Sequence, residues 1–539
     1  MRRFILFLVL VFVSFSGFAI WVEIPGNSDK KMFKAISSNL EITEVDFSLD
    51  GYELEIINEN EENYQKISYW NQGEFLEIGK PHLPRFSRLV AIPFSGEVSL
   101  EITFLEDEIL SDITIYPRQE LQSESQKTNK KFIKDLDFYS SNTIFPAEIA
   151  EIDEPAIMRD FRIVNVTINP FQYNPQTKEL RIIKNLHFSV NCTGNEGQNQ
   201  KIQIRKKSRS FESLYKSIII NYEPTNQRND DFQKPCYLFI YPDVSSVEPF
   251  LQLLLDWKHQ KGFEVVAANT SETGTTLTEI KSYIQNAYDN WENPPEFVCL
   301  VGDAGGNFSI PTGHLDGGAY NGEGDQFYTL LEGDDILADV FIGRLSFNSL
   351  FEFQTIVAKI LNYEKEPYIG QTDWYDNALL VGDPTDSGQS CIDTKQSIKE
   401  MINLNAPNIY CTEVYDTSLG SWVSQMINSF NNGISYFNYR GFVNVSGFNN
   451  SSIENLNNGF MLPVAVTLTC ITGDFEGTYD CISEKFLKAG APNSPKGAIA
   501  AIATATGYTH TCFNNCVDAG IFYGIFSDEI YHLGGALNR

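Results

Sequence analysis

Cys470 closes an apolar run, Phe460-Met461-Leu462-Pro463-Val464-Ala465-Val466-Thr467-Leu468-Thr469, and Ile471-Thr472-Gly473-Asp474-Phe475 follows at once. A β-branched apolar run broken by Gly-Asp predicts a buried strand that surfaces at its C-terminal end. In open α/β sheets, ligands and chemistry collect at that edge. A thiol there is a candidate nucleophile, provided a base holds it as thiolate. The plainer reading is a small buried hydrophobe, the commonest fate of a free cysteine.

The elements that would position Cys470 follow from a change of period at Cys236. Tyr237 to Tyr241 reads as a strand, Val244 to Gln260 as a helix ended by Gly262, and Glu264 to Ala268 as the next strand. Leu277 to Trp291 is a second helix, and Phe297-Val298-Cys299-Leu300-Val301-Gly302-Asp303 a strand ending in Gly-Asp. This β-α-β-α-β rhythm predicts a parallel sheet covered by helices. It restarts at Ala378-Leu379-Leu380-Val381-Gly382-Asp383, continues through Ser435 to Tyr439 and the Cys470 strand, and ends with Gly497 to Thr504. Two α/β units in tandem result, 233–372 and 373–539, the second reading as C-terminally incomplete.

Upstream, residues 20–228 read as a β-rich domain. Val45 to Leu49, Val98 to Phe104 and Leu186 to Val190 alternate with period two. A β-sandwich is the simplest architecture for them. Two polar stretches read as linkers: one basic, with Lys201, Arg205, Lys206, Lys207 and Arg209, and one from Pro224 to Asp231. Protease-sensitive site and solvated linker are equal readings of the basic stretch.

Composition bounds the function. The 539 residues allow three or four domains, and 42% hydrophobic with 20% charged residues is core-forming material. A formal net charge of -30 argues against nucleic acid and anionic membrane surfaces as partners. Arg2-Arg3, the apolar Phe4 to Val13 and the small residues up to Ala19 predict a signal peptide over 1–19, with a membrane anchor as the alternative. No later stretch has the length and apolarity of a transmembrane span, so the mature chain is expected at the cell surface or secreted. Nine scattered cysteines do not form a disulfide scaffold, and Cys512 with Cys516 lacks the further ligands of a zinc site.

Three segments in order resemble the gingipain family of secreted cysteine peptidases: Gly324-Asp325-Gln326-Phe327-Tyr328 running to Asp339-Val340-Phe341-Ile342-Gly343-Arg344, then Tyr439-Arg440-Gly441-Phe442, then Thr469 to Phe475 with Cys481 and Glu484 opening the next helix. The resemblance covers about residues 230 to 539, and the β-rich segment before it resembles the family's propeptide. It implies a caspase-like α/β fold with tandem parallel-sheet subdomains behind an all-β, sandwich-like propeptide domain. It implies Cys470 as nucleophile and Asp339 as the acidic residue orienting a histidine base. The family's base is the His of Tyr-x-Gly-His-Gly; here the segment reads Tyr439-Arg440-Gly441-Phe442-Val443. Phenylalanine can neither hold a thiolate nor give a proton to the leaving amine. His510, which follows the strand after Cys470, is the one candidate substitute. Main-chain N–H groups beside Cys470 and near Val443 are expected to supply an oxyanion hole, with Val443 resisting the geometry that the family's Gly permits. Arg440 is expected either to lower the thiol pKa or, more plainly, to form an ion pair.

Two functions follow. One is a secreted cysteine endopeptidase made as a zymogen, acting on proteins or peptides. The other is an inactive homologue that keeps the scaffold as an extracellular binding or surface-interaction protein. The chemistry requires no cofactor. Calcium is an expected structural ion at most, with the acidic loops at Asp316, Asp325, Asp334 and Asp335 as its candidates and solvated turns as their plainer reading.

Overall fold

A computed structural model describes residues 19–121, 124, 131–224, 232–315, 321–415, 421–507 and 509–539. The chain divides into two compact units, one of residues 1–121, 129–155 and 164–198, the other of 122–128, 156–163 and 199–539.

The first unit is antiparallel β-sheet. Its alternating segments bury every second residue: Val45 and Phe47 from Ile42–Ser48, and Leu186, Phe188 and Val190 from Glu179–Thr193. These two strands pair antiparallel, and the long Glu97–Leu110 strand runs along the other side of Glu179–Thr193. The only helix described in this unit is the four-residue Leu136–Tyr139.

The second unit contains two parallel sheets. The first has the order Glu264–Asn269, Cys236–Tyr241, Phe297–Val301, Phe341–Leu345. Helices cover both faces, because successive side chains point to opposite sides of a strand. Leu238, Ile240, Val298 and Leu300 pack against Ile280, Ile284 and Tyr288 of helix Leu277–Asn290. Phe239, Cys299 and Val301 pack against Leu251 and Leu254 of helix Glu248–Gln260 and Phe353, Ile356 and Val357 of helix Leu350–Glu364. Capping boxes, Thr276 with Glu279 and Ser349 with Glu352, start the second and third of these helices.

The second sheet has the order Tyr410–Val414, Asn377–Gly382, Tyr436–Arg440, Val464–Thr467, Ala500–Ala503, again all parallel. Only four residues of the long apolar run before Cys470 are strand. Pro463 offers no N–H to a ladder, and Thr469 already donates its N–H to the Thr467 carbonyl at 2.9 Å. On one face Leu379, Phe437 and Ala465 pack with Phe430, Phe448 and Phe486. On the other, helix Thr511–Phe526 is held by a buried polar contact in which Lys395 meets both Asn438 and Asp518. Asn438 also donates to Asp518 at 2.6 Å and to the Val466 carbonyl at 3.2 Å. Burial lowers the Lys395 ammonium to about 8 despite the Asp518 charge.

One short helix, Ile482–Lys488, ties the two sheets. Lys359, on helix Leu350–Glu364, donates to two carbonyls in the last turn of this helix: that of Leu487 at 2.7 Å, and that of Phe486 at 2.9 Å, which also accepts the Ala498 N–H at 3.0 Å. Glu484 accepts from Ser346 at 2.6 Å and from Lys488 at 2.9 Å.

The basic stretch at 201–209 is not a free linker. Lys201 is buried in an ion pair with Glu332 at 2.6 Å, Arg205 lies over Tyr288, and Arg209 lies over Phe232. Ser208 is buried and donates to Glu296, and Phe211 stacks on Phe341 with ring centroids 3.9 Å apart. The hairpin Ala156–Met158 with Phe161–Ile163 is likewise part of the second unit. The expected boundary at 228 therefore does not separate the compact units, although the change from β-rich to α/β pattern is real. Arg228, in the second stretch that reads as a linker, lies outside the described residues. The prediction is that chain cut there by limited trypsin stays together: the two fragments co-elute in native size-exclusion chromatography and separate only in denaturant. Separation under native conditions would show that the 199–221 anchors carry little.

Candidate functional site

Cys470 stands three residues past the end of the Val464–Thr467 strand, at the C-terminal edge of the second sheet. Its neighbour there is the segment leaving Tyr436–Arg440. Val443 forms a parallel bridge with Cys470, and the Asn444 N–H donates to the Cys470 carbonyl at 3.0 Å. Both segments then turn through left-handed residues, Asn444 at φ 52 and Ile471 at φ 59. Asparagine tolerates that conformation; a β-branched isoleucine does so at a cost of about 1–3 kcal/mol, the kind of strain that collects at functional sites. Val443 has no positive φ, so the expected backbone conflict at this position is absent. The residue needing freedom is Asn444, one place on.

The thiol is 6% exposed. Its polar neighbours are the Thr509 carbonyl at 3.9 Å and the Thr509 hydroxyl at 3.7 Å. Among the described residues no imidazole hydrogen-bonds to the thiol, and Phe442, in the base position, is 51% exposed. The expected oxyanion donor after the nucleophile is engaged elsewhere: Ile471 N–H donates to the Thr506 carbonyl at 3.3 Å. Gly473 N–H likewise donates to Thr504 at 3.0 Å.

His510 is not placed as a base for Cys470. It is the N-cap of helix Thr511–Phe526, where its Nδ1 accepts the Cys512 N–H at 3.2 Å. Four other histidines are held by other groups: His82 meets Glu74, His187 meets Asp46, His314 meets Glu476, and His532 reaches the Ser210 carbonyl; the fifth, His259, lies in helix Glu248–Gln260 of the first subdomain.

Asp339 does not orient a base either. It precedes Phe341–Leu345 at the N-terminal end of that strand, in the first sheet, whereas Cys470 lies at a C-terminal strand edge of the second. Its Oδ1 accepts the Arg159 N–H at 2.8 Å; its Oδ2 accepts Leu331 N–H at 2.9 Å and Glu332 N–H at 2.8 Å. Arg159 also donates to the Asp339 carbonyl. This is a structural carboxylate whose oxygens satisfy buried amides. Burial outweighs those donors and raises its pKa to about 7.

The acidic residue at the right edge is Asp383. Gly382 pairs with Arg440, and the Asp383 N–H donates to the Arg440 carbonyl at 2.8 Å, so Asp383 lies beside the start of the Gly441-Phe442 segment. Its carboxylate accepts Thr385 N–H at 2.9 Å and faces the Tyr439 hydroxyl at 3.4 Å. Tyr439 in turn accepts from Ser446 N–H at 3.0 Å, fixing the loop that carries Phe442. The signal was in the sequence: Gly382-Asp383 ends the strand next to Tyr436–Arg440, as Gly302-Asp303 ends its counterpart.

Arg440 is fully buried and forms no ion pair among the described residues. Its guanidinium donates to the Leu468 carbonyl, to Asn515 at 2.7 Å and to the Thr511 carbonyl at 3.2 Å. It clamps the Cys470 segment to the following helix. Of the acidic loops, Asp316 lies outside the described residues. Asp325 is held by a bidentate Arg344, and Asp335 accepts main-chain N–H groups from Ile157 and Leu337. Among the described residues no three His, Cys, Asp or Glu side chains converge as metal ligands.

Tandem parallel-sheet subdomains with a strand-end thiol in the second define a caspase-like cysteine-peptidase scaffold. The comparisons with known proteins agree. The chain belongs to Peptidase family C25, whose model matches residues 230–539, and the model described as Propeptide_C25 matches residues 25–229. It is 28% identical over 502 residues to gingipain R1 of Porphyromonas gingivalis, covering 90% of this chain and 49% of that protein. It is 27% identical over 510 residues to gingipain R2 of the same species, covering 92% and 68%. Thus it spans about half the length of gingipain R1. The crystal structure of the Arg-specific cysteine proteinase gingipain R superposes with a TM-score of 0.50 at 23% identity, over 59% of this chain and 73% of that one.

The geometry at Asp339 gives a test. Asp339→Asn turns one acceptor into a donor facing amide N–H, and should cost about 1–3 kcal/mol of stability. The sign with pH follows from the raised pKa. Between the ordinary carboxyl value and about 7 the folded state holds a proton that the unfolded state has lost, so this group's contribution to stability falls as pH rises through that window. The destabilisation by Asp339→Asn, read from urea melts, should therefore be larger at pH 5 than at pH 8. A penalty that grows with pH would contradict it.

Proposed function

We propose that this chain is an exported, propeptide-bearing gingipain-like homologue that engages peptides at the Cys470 strand edge and hydrolyses them poorly or not at all. The observation that carries this is Phe442 beside the Val443–Cys470 bridge, where a proton carrier is needed. Without one, the thiol is a weak nucleophile and the leaving amine gets no proton. Export rests on the 1–19 segment, nearly all of which lies outside the described residues, and on the secretory pattern of its sequence. Among the described residues no helix is long and apolar enough to cross a membrane.

A working endopeptidase, made as a zymogen, is the second reading. Its specific support is that Cys470 and Asp383 are both kept at one sheet edge, flanking the 442 position.

The test is Phe442→His. Because Val443 has no positive φ, the single change should suffice without Val443→Gly. Position 442 follows Gly441 beside Asp383, whose carboxylate can fix an imidazole tautomer. Peptide hydrolysis should rise by about 10²-fold or more, the usual contribution of a positioned acid–base group, and vanish again with Cys470→Ala. A folded Phe442→His protein with no gain would mean that the oxyanion donors or the thiol itself are also lost.

A further inference from the structure

A second thiol does have an imidazole. His510 Nδ1 lies 3.2 Å from Cys512 Sγ. The pair sits at the start of the 16-residue helix Thr511–Phe526, with His510 as N-cap and Cys512 in the first turn. The helix dipole favours an anion at that position. The frame is firm. Arg440 holds the Thr511 carbonyl and Asn515, and Asp518 is bound to Lys395 and Asn438. Because Nδ1 accepts the Cys512 N–H, the neutral ring carries its proton on Nε2, which is buried without a partner. The basic nitrogen is thus the one that faces the sulfur.

Access is open on this side. Cys512 is half-buried, Cys516 is exposed, and Phe513 and Val517 are 46% and 44% exposed. The other thiols differ. Cys236, Cys299 and Cys481 are pushed up to about 12 by burial, and Cys470 is covered.

We propose that Cys512, with His510 as its proton acceptor, is a modification site that exchanges with small disulfides of apolar character. The Cys512 proton passes to His510 Nδ1, whose lone pair turns from the Cys512 N–H to the thiol, as the sulfur attacks one sulfur of the disulfide. The new S–S bond forms as the old one breaks, and the departing thiolate takes the proton back from His510. One thiol is consumed and one released, so the disulfide is the only oxidant. Phe513, next in the chain, is exposed with its ring centroid 6.3 Å from that of His510, and favours an apolar reagent over a charged one. The proposal does not depend on whether Cys470 turns over peptide.

The experiment treats the intact chain with limiting 2,2′-dithiodipyridine and maps modified cysteines by mass spectrometry over time. Cys512, with the His510 imidazole 3.2 Å from its sulfur, should react about tenfold or more faster than Cys516, which is more exposed on the same helix. His510→Asn keeps an N-cap acceptor for the Cys512 N–H and removes the base. It should abolish that advantage while leaving the melting temperature within a few degrees of wild type. A Cys516 rate equal to or above that of Cys512 would overturn the proposal without any variant. An unchanged Cys512 rate in folded His510→Asn would overturn the role of His510.

Discussion

The register between two neighbouring parallel strands governs the site. Tyr439 faces Thr467 in the ladder, and three or four residues on, past the last regular hydrogen bond, Val443 faces Cys470. Position 442 is thereby held one residue from the bridge to Cys470. Whatever occupies position 442 then decides what chemistry the thiol can do. Here the sheet, the turn through Ile471, the clamp from Arg440 and the flanking Asp383 are all in place. A phenylalanine stands where a proton must be carried. The scaffold holds a nucleophile's geometry without its partner.

The buried ionic groups of the second unit hold structure rather than carry chemistry. Asp339 satisfies three amides, Lys359 caps the end of a helix in the other subdomain, and Lys395 fixes the helix that bears His510. Each is a buried polar group whose removal would strand its partners, so each is worth more than its net interaction energy suggests. The Arg159 contacts extend this dependence. Residues 156–163 and 199–221 fall within the propeptide match yet are built into the peptidase unit.

The α/β rhythm was legible because parallel strands buried on both faces read as short apolar runs between amphipathic helices. Cys236–Tyr241, Leu277–Asn290 and Phe297–Val301 fall within one or two residues of their expected ends. The Cys470 strand was overdrawn, since an apolar run does not show where its hydrogen bonds stop. The place of Asp339 escapes the sequence for a related reason. A motif fixes the order of residues along the chain but not which end of a strand faces the site, and Asp339 precedes its strand whereas Asp383 follows one. The basic cluster at 201–209 reads as a linker because charge suggests solvent. Aromatic faces at Tyr288 and Phe232 hold Arg205 and Arg209, and a pattern of charge alone cannot reveal that. The pairing of His510 with Cys512 needs only the spacing H-x-C and a helix start, and both were present in the sequence.

The central claim is that Cys470 lacks a proton carrier. The most direct measurement is hydrolysis of a broad fluorogenic peptide library by the wild-type chain, intact and after limited proteolysis, with Cys470→Ala as the blank. The account predicts no cleavage above that blank. Turnover that disappears in Cys470→Ala would contradict it, and would require a base that the present geometry does not place at the thiol.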